Sequence, residues 1–436
     1  MSSTAEVFLW GTRIGFCHLD DSSPYMSFEY DRPFLASGIE VAPFRMPLSN
    51  RIYTFPELPY ASFHGAPGLL ADSLPDRFGN AVINRWLASQ GRLPESFNSV
   101  ERLCYTGTRG MGALEYHPST GPDWGVQEPV DLDALVRLAE MALANRETVR
   151  LNESDNPNMT ALIKLGTSAG GARAKAVVAW NEATGELRSG QIEAGSGFGY
   201  WIIIFDHVRG SGDHGLEDIP EYTRIEYAYY LMACEAGIRM NPCRLFNENG
   251  RHHFMTQRFD RDPVTGGKRH MQTLGALAHI DYSVPGLCSY EEAALYAIRL
   301  GVPHSDLEEF FRRMVFNVAA VNQDDHVKNV SFLMDRRGRW QLSPAYDVTF
   351  AYDRTNRWLA AHQMTVNGKS NQITEADLTA AGRVMDIRPA KAKAIIEKVK
   401  ASVNRWPVFA EQAGVREETA SAIGSVIGAE GLRPGK

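Results

Sequence analysis

Val321 to Asn329 reads VNQDDHVKN, with two aspartates, a histidine, a lysine and an asparagine crowded into one short stretch. Immediately before it, SDLEEFFRRMVFNVAAVNQ carries apolar residues at helical spacing, with Ser305 and Glu308 placed to form a capping box at the helix start. Immediately after it, VSFLM, DRRG and RWQLSPAYD read as a β-hairpin with a polar turn, which returns the chain toward the charged loop and brings Asp347 with it. A long apolar helix on one side and a hairpin on the other thus hold Asp324, Asn329 and Asp347 to one neighbourhood.

Bulk composition frames what that neighbourhood can belong to. The chain has 436 residues, more than one core usually covers, so two or three domains are expected. A hydrophobic share of 44% and a charged share of 22% describe a folded globular protein. The net charge of -7 offers no basic footprint for phosphate backbones, which argues against direct nucleic-acid binding. Cys17, Cys104, Cys234, Cys243 and Cys288 are odd in number and free of any CxxC pair, the pattern of a reducing, cytoplasmic setting. MSSTAEVFLWGTRIGF has no basic segment followed by an apolar one, and no window of about 18 apolar residues follows, so neither secretion nor a membrane span is expected.

From Val7 to about Tyr116, short apolar runs such as VFLWG and YTFPELPYASF are cut by Gly and Pro and predict strands with turns. PDRFGNAVINRWLASQG stands apart as an amphipathic helix, with Gly91 as its stop. HPSTGPDWGVQEP has the composition of a domain connection. Beyond it DLDALVRLAEMALANRE predicts a helix, NMTALIKLGTSAGGARAKAVVAWN a strand, glycine loop and strand, and PEYTRIEYAYYLMACEAG the first of many helices. The expected architecture is α+β, with a small β-rich domain over 1–118, a sheet-rich lobe over 119–262 and a helical lobe over 263–436.

The spacing of Asp324 and Asn329, D-x-x-x-x-N, is the one by which protein kinases set a catalytic aspartate and a metal-holding asparagine on one loop. In that layout Asp324 deprotonates the attacking hydroxyl, Asn329 and Asp347 hold Mg²⁺ against the phosphates of ATP, and Lys328 steadies the transferring phosphoryl group. His326 serves as participant or as hydrogen-bonding strut. In GTSAGGARAK, Gly166 and Gly171 have the spacing of a Walker A loop, but Ala172 stands at its lysine position and AVVAW favours a strand over the required helix, so a P-loop fold is excluded. A glycine loop between strands is similar instead to the flap that kinases close over ATP. Glu226, within the apolar TRIEYAYYLMA, takes the place of the helix carboxylate that pairs with a strand lysine, yet the candidate strand GYWIIIFD contains no lysine.

Together LLADSLPDRFGN, GTSAGGARAK, RIEYAYYLMA, HFMTQRFDR, NQDDHVKN and LSPAYDVT resemble, in order, the HipA family of serine/threonine kinase toxins from bacterial HipA–HipB modules. The resemblance implies a bilobal protein-kinase-like fold, with Asp324 as catalytic aspartate, His326, Lys328 and Asn329 in the nucleotide and metal site, and Asp347 as second metal ligand. It implies ATP contacts from Gly170, Gly171, Ala172, Arg173 and Lys175, an adenine-holding hinge at Gln257, Arg258 and Phe259, and autophosphorylation at Ser168. It implies a HipB-like helix-turn-helix antitoxin, operator DNA touched through that antitoxin, and a protein substrate in translation such as an aminoacyl-tRNA synthetase. The sequence departs from the family at Ile204, which occupies the ATP-binding lysine's place in W-I-I-K-F and so removes the lysine that the resemblance would pair with Glu226. Lys175, Lys164 and Arg173 are the cations near enough in sequence to substitute. The alternative reading is a pseudokinase that binds nucleotide and serves as co-repressor with its antitoxin; a small-molecule kinase of the same broad fold is the third.

Overall fold

Alternation builds the first sheet. In β1 (Ser3–Leu9), Ala5, Val7 and Leu9 are buried in turn, and Trp10 and Gly11, both with positive φ, close a two-residue hairpin into β2 (Thr12–Leu19). With β3 (Ser27–Tyr30) and β4 (Leu114–His117) the sheet order is β3-β2-β1-β4. Gly15 of β2 is obligatory, because a Cβ there would stand 2.3 Å from the Glu29 carbonyl of the neighbouring strand. A computed structural model describes residues 3–120, 130–143, 173–191, 193–208, 221–263 and 265–432. The chain divides into two units, residues 1–220 with 244–271 and residues 221–243 with 272–436.

The expectation that YTFPELPYASF is a strand is corrected. Tyr53 makes only an isolated bridge to Phe28, and Tyr60–Phe63 is a single helical turn. Pro56 and Pro59 deny the backbone donors that a ladder needs. The helix over Arg77–Ser89 forms as expected, its N-terminus capped by the Asp76 carboxylate accepting from Gly79 N at 2.5 Å. A helix over Ser99–Thr106, absent from the sequence reading, is started by a reciprocal capping box between Asn98 and Glu101.

The second sheet of the first unit comprises β5 (Lys175–Trp180), β6 (Leu187–Ser189), β7 (Gly199–Ile204), β8 (Cys243–Glu248) and β9 (Arg251–Gln257), in the order β6-β5-β7-β9-β8. One face presents Ala176, Val178, Trp201, Ile203 and Met255 to Val82, Ile83 and Leu87 of the Arg77–Ser89 helix and to Leu132, Leu135 and Val136 of the Leu132–Leu143 helix. Each fully buried aliphatic side chain contributes about 1.5–3 kcal/mol, so this shared core is what joins the N-terminal segment to the sheet. The composition change near residue 120 therefore falls inside one unit.

The second unit is helical around Tyr222–Ala236, His304–Ala319, Pro389–Val403 and Trp406–Gln412. Trp406 is buried beside Tyr229, whose hydroxyl donates to Ala320 O at 2.6 Å, and Ser402 Oγ donates to Met232 O. The capping box expected at Ser305 and Glu308 is not formed: the helix starts at His304 behind Pro303, whose fixed φ sets the entry, and Ser305 lies inside the first turn. The hairpin is present, with Ser331–Met334 antiparallel to Trp340–Leu342. Among the described residues no helix is long and apolar enough to cross a membrane, and all five cysteines are free.

Candidate active site

The charged loop belongs wholly to the second unit. The His304–Ala319 helix delivers the chain to Val321, a buried β-branched residue held at φ +55°, where a side chain of that shape is strained. That reversal is pinned from the far side of the hairpin, where Gln323 N donates to Ala351 O at 2.9 Å and Ala351 N donates to Val321 O at 3.3 Å. The hairpin exit is fixed in turn by the same helix, since Asp306 accepts from Leu342 N at 2.7 Å and Arg313 donates to Ser343 O at 2.7 Å. The route between them leads to Asp347, itself at φ +50°.

Asp325 anchors the loop from beneath. The residue is 2% exposed, and its carboxylate accepts three hydrogen bonds, from Tyr290 Oη at 2.7 Å, His362 Nδ1 at 2.8 Å and Gln363 N at 2.7 Å. Asn317 Nδ2 donates to the Tyr290 hydroxyl, and Asn322 Nδ2 donates to Asn317 Oδ1, which extends the network to the loop's first residues. The sequence reading passed over Asp325, although the doubled aspartate was its signal.

Above that anchor the reading's residues come together. Asn329 Nδ2 donates to Asp324 O at 2.8 Å, and Asp324 Oδ1 lies 3.8 Å from His326 Nε2. His326, Asn329 and Asp347 line one small cavity with Asp325 and Asn322. The Val327–Asn329 turn is held by Tyr346, whose hydroxyl donates to Lys328 O at 2.6 Å and pairs with Ser331 Oγ. The ammonium of Lys328 lies 4.4 Å from the centroid of the Tyr282 ring, a residue that the sequence reading did not single out.

The donor set suits Mg²⁺. With its nitrogen committed to Asp324 O, the Asn329 carboxamide has its oxygen left for a cation, and the Asp347 carboxylate borders the same cavity. Among the described residues no group of three or more His, Cys, Asp or Glu gathers in a metal-binding arrangement. Mg²⁺ needs none, because one or two protein oxygens suffice when phosphates and water complete its shell.

In the first unit, antiparallel register sets Lys175 directly opposite Ile204, so their side chains share the sheet face that also carries Val177 and Ile202. Both are 5% exposed. Gln257 ends β9 opposite Trp201, and Phe259 lies two residues on. Between them, the Arg258 guanidinium forms a bidentate pair with Asp260 at 2.8 and 2.9 Å, and its backbone N donates to Tyr200 O, so this side chain is committed to the structure. Arg173 precedes β5, and Glu226 is buried in the Tyr222–Ala236 helix of the second unit. Ser168, Gly170, Gly171, Ala172 and Lys164 lie outside the described residues.

Comparison with known proteins bears directly on these elements. Residues 5–117 match the HipA N-terminal domain and residues 167–406 the HipA-like C-terminal domain. "Putative kinase Y4mE" of Sinorhizobium fredii is 27% identical over 143 residues, covering 30% of this chain and 34% of the relative. "Putative kinase" of Haemophilus influenzae is 28% identical over 159 residues, covering 33% and 46%. The chain thus spans about a third to just under half the length of these curated relatives. A chain from the Shewanella oneidensis MR-1 complex of HipA, HipB and operator DNA has a similar fold, with a TM-score of 0.66 over 98% of this chain and 95% of that one, at 14% identity. Two domains matched in order across most of its length establish that the chain belongs to the HipA family.

Proposed function

We propose that this chain is an ATP- and Mg²⁺-dependent serine/threonine protein kinase, the toxin of a HipA–HipB-type module. The observation that carries the reading is the meeting of His326, Asn329 and Asp347 on one cavity, with Asp324 tethered to Asn329. Asp324 takes the proton of the attacking hydroxyl as that oxygen bonds to the γ-phosphorus and ADP departs. Asn329 and Asp347 would hold Mg²⁺, which when bound neutralises charge on the phosphates. Lys328 stabilises charge on the transferred group, and Asp325 keeps the loop in place. Gln257 and Phe259 contribute to the adenine side, and Ser168 is the autophosphorylation site. The partner is a HipB-like helix-turn-helix antitoxin that carries the contact to operator DNA, and the substrate is a translation protein such as an aminoacyl-tRNA synthetase. The cytoplasm is where these partners reside.

A second reading rests on Ile204. Without a lysine there, the chain would bind nucleotide as a co-repressor scaffold and transfer nothing. Lys175 supports the enzyme, because register puts an ammonium-bearing side chain on the same face as Ile204. Labelled ATP separates the two. The wild-type chain should label Ser168, Lys175→Met should lose roughly tenfold in labelling, on the scale of one charge-assisted contact, and Lys175→Met combined with Ile204→Lys should recover part of that loss. An unlabelled wild type beside a labelled Ile204→Lys variant would overturn the kinase and establish the scaffold.

A further inference from the structure

Tyr282 lies on the connection after the short Leu274–Ala278 helix, far from the charged loop in sequence, yet its ring packs against two side chains of that loop. Lys328 Nζ stands 4.4 Å from the ring centroid, and the His326 ring meets the same tyrosine edge-on, with centroids 5.5 Å apart at 60°. Two of the loop's basic side chains therefore lean on one aromatic ring. We propose that Tyr282 is a positioning residue for phosphoryl transfer, holding the Lys328 ammonium at the phosphate end of the nucleotide. This rests on the kinase reading above.

The backbone ties ring and loop together. The Leu274–Ala278 helix packs on the Val327–Asn329 turn so closely that a Cβ on Gly275 would come within 3.2 Å of Val327 Cγ2. Leu274 N donates to Val330 O at 2.8 Å, so the helix start is anchored just past the turn. At its other end His279 adopts a left-handed cap at φ +58°, and Ile280 N donates back to Gly275 O at 3.0 Å. The chain is thereby aimed so that Tyr282, three residues beyond the cap, lies beside Lys328. The lysine's own backbone is held by Tyr346 Oη on Lys328 O.

A lysine reaching a phosphate must surrender the freedom of a four-carbon stem, and its ammonium is strongly hydrated. The face of an aromatic ring attracts a cation through its quadrupole without occupying a hydrogen-bond donor. Seated there, the ammonium keeps its N–H groups for phosphate oxygens and its stem is already ordered. An aliphatic side chain of similar bulk would fill the space but exert no such pull. The ring face is the operative feature, and the phenol hydroxyl is dispensable to it.

The test uses the full chain with Tyr282→Phe, Tyr282→Leu and Lys328→Met. Reductive dimethylation with ¹³C keeps lysine charge and reports ring proximity; Lys328→Arg assigns the signal. An upfield-shifted Lys328 methyl signal is expected in wild type and Tyr282→Phe and its loss in Tyr282→Leu. In parallel, the preference for Mg-ATP over Mg-ADP, measured as a ratio of dissociation constants, should fall about two- to fivefold in Tyr282→Leu, be retained in Tyr282→Phe, and fall no further when Tyr282→Leu is added to Lys328→Met. An unshifted wild-type signal, equal losses in the Phe and Leu variants, or losses that add in the double variant would each overturn the inference. Failure of the wild type to bind either nucleotide would instead overturn the kinase reading, and this role with it. Normal nucleotide binding with an unchanged ratio in Tyr282→Leu would overturn this role alone.

Discussion

Asparagine in place of Asp324 should lower phosphoryl transfer about a thousandfold while nucleotide binding persists. The substitution is nearly isosteric, and the bond that links this residue to Asn329 uses the backbone carbonyl, which asparagine retains. What disappears is the proton acceptor and its negative charge, 3.8 Å from His326 Nε2. The loss should therefore appear in kcat and only weakly in the KM for ATP. Single-turnover transfer of labelled phosphate to an added protein, or to Ser168, measures it. A loss of less than about tenfold would remove Asp324 from the general-base role, since positioned proton transfer is worth at least a hundredfold.

Asp260→Asn should destabilise the first unit by about 3–5 kcal/mol, read as a fall of roughly 10 °C in Tm. Asp260 is fully buried and holds two buried arginines at once, Arg258 at 2.8 Å and Arg261 at 2.7 Å, while accepting from Gly112 N at 2.7 Å. The two guanidinium groups also donate to Gly110 O, so the cluster fastens the end of β9 to the loop before β4. A neutral amide in this place leaves two like charges facing each other in a desolvated space. Burial opposes ionisation of Asp260, but Arg258 and then Arg261 outweigh it and hold the carboxyl well below the usual range. Because the folded-state value is depressed, its contribution to stability is complete above about pH 4, where the unfolded carboxyl is ionised, and is lost as pH falls below that toward the folded-state value. The Asn variant should lack that part of the acid dependence. Wild-type and variant melting curves that stay parallel from neutral pH down through the acid limb would contradict the assignment.

Local reading of the chain succeeded where a short stretch carries its own periodicity. The Arg77–Ser89 and Leu132–Leu143 helices and the Ser331–Leu342 hairpin are written in runs of apolar spacing. It failed where one local signal competed with another. Ser305 and Glu308 have the right interval for a capping box, but Pro303 begins the helix earlier and leaves Ser305 in its first turn. Apolar residues in YTFPELPYASF suggested a strand that its prolines do not permit.

The sequence by itself determined the D-x-x-x-x-N interval between Asp324 and Asn329, the hairpin that returns Asp347 to them, and the family, because these depend on neighbours along the chain. Only the tertiary structure decided that Lys175 faces Ile204, that Asp325 receives Tyr290, His362 and Gln363, that Lys328 rests on Tyr282, and that Arg258 serves Asp260. The physical reason is range: spacing along a strand or helix is set by bond geometry and shows in any window, whereas strand register and the partner of a buried charge follow from which distant surfaces pack together.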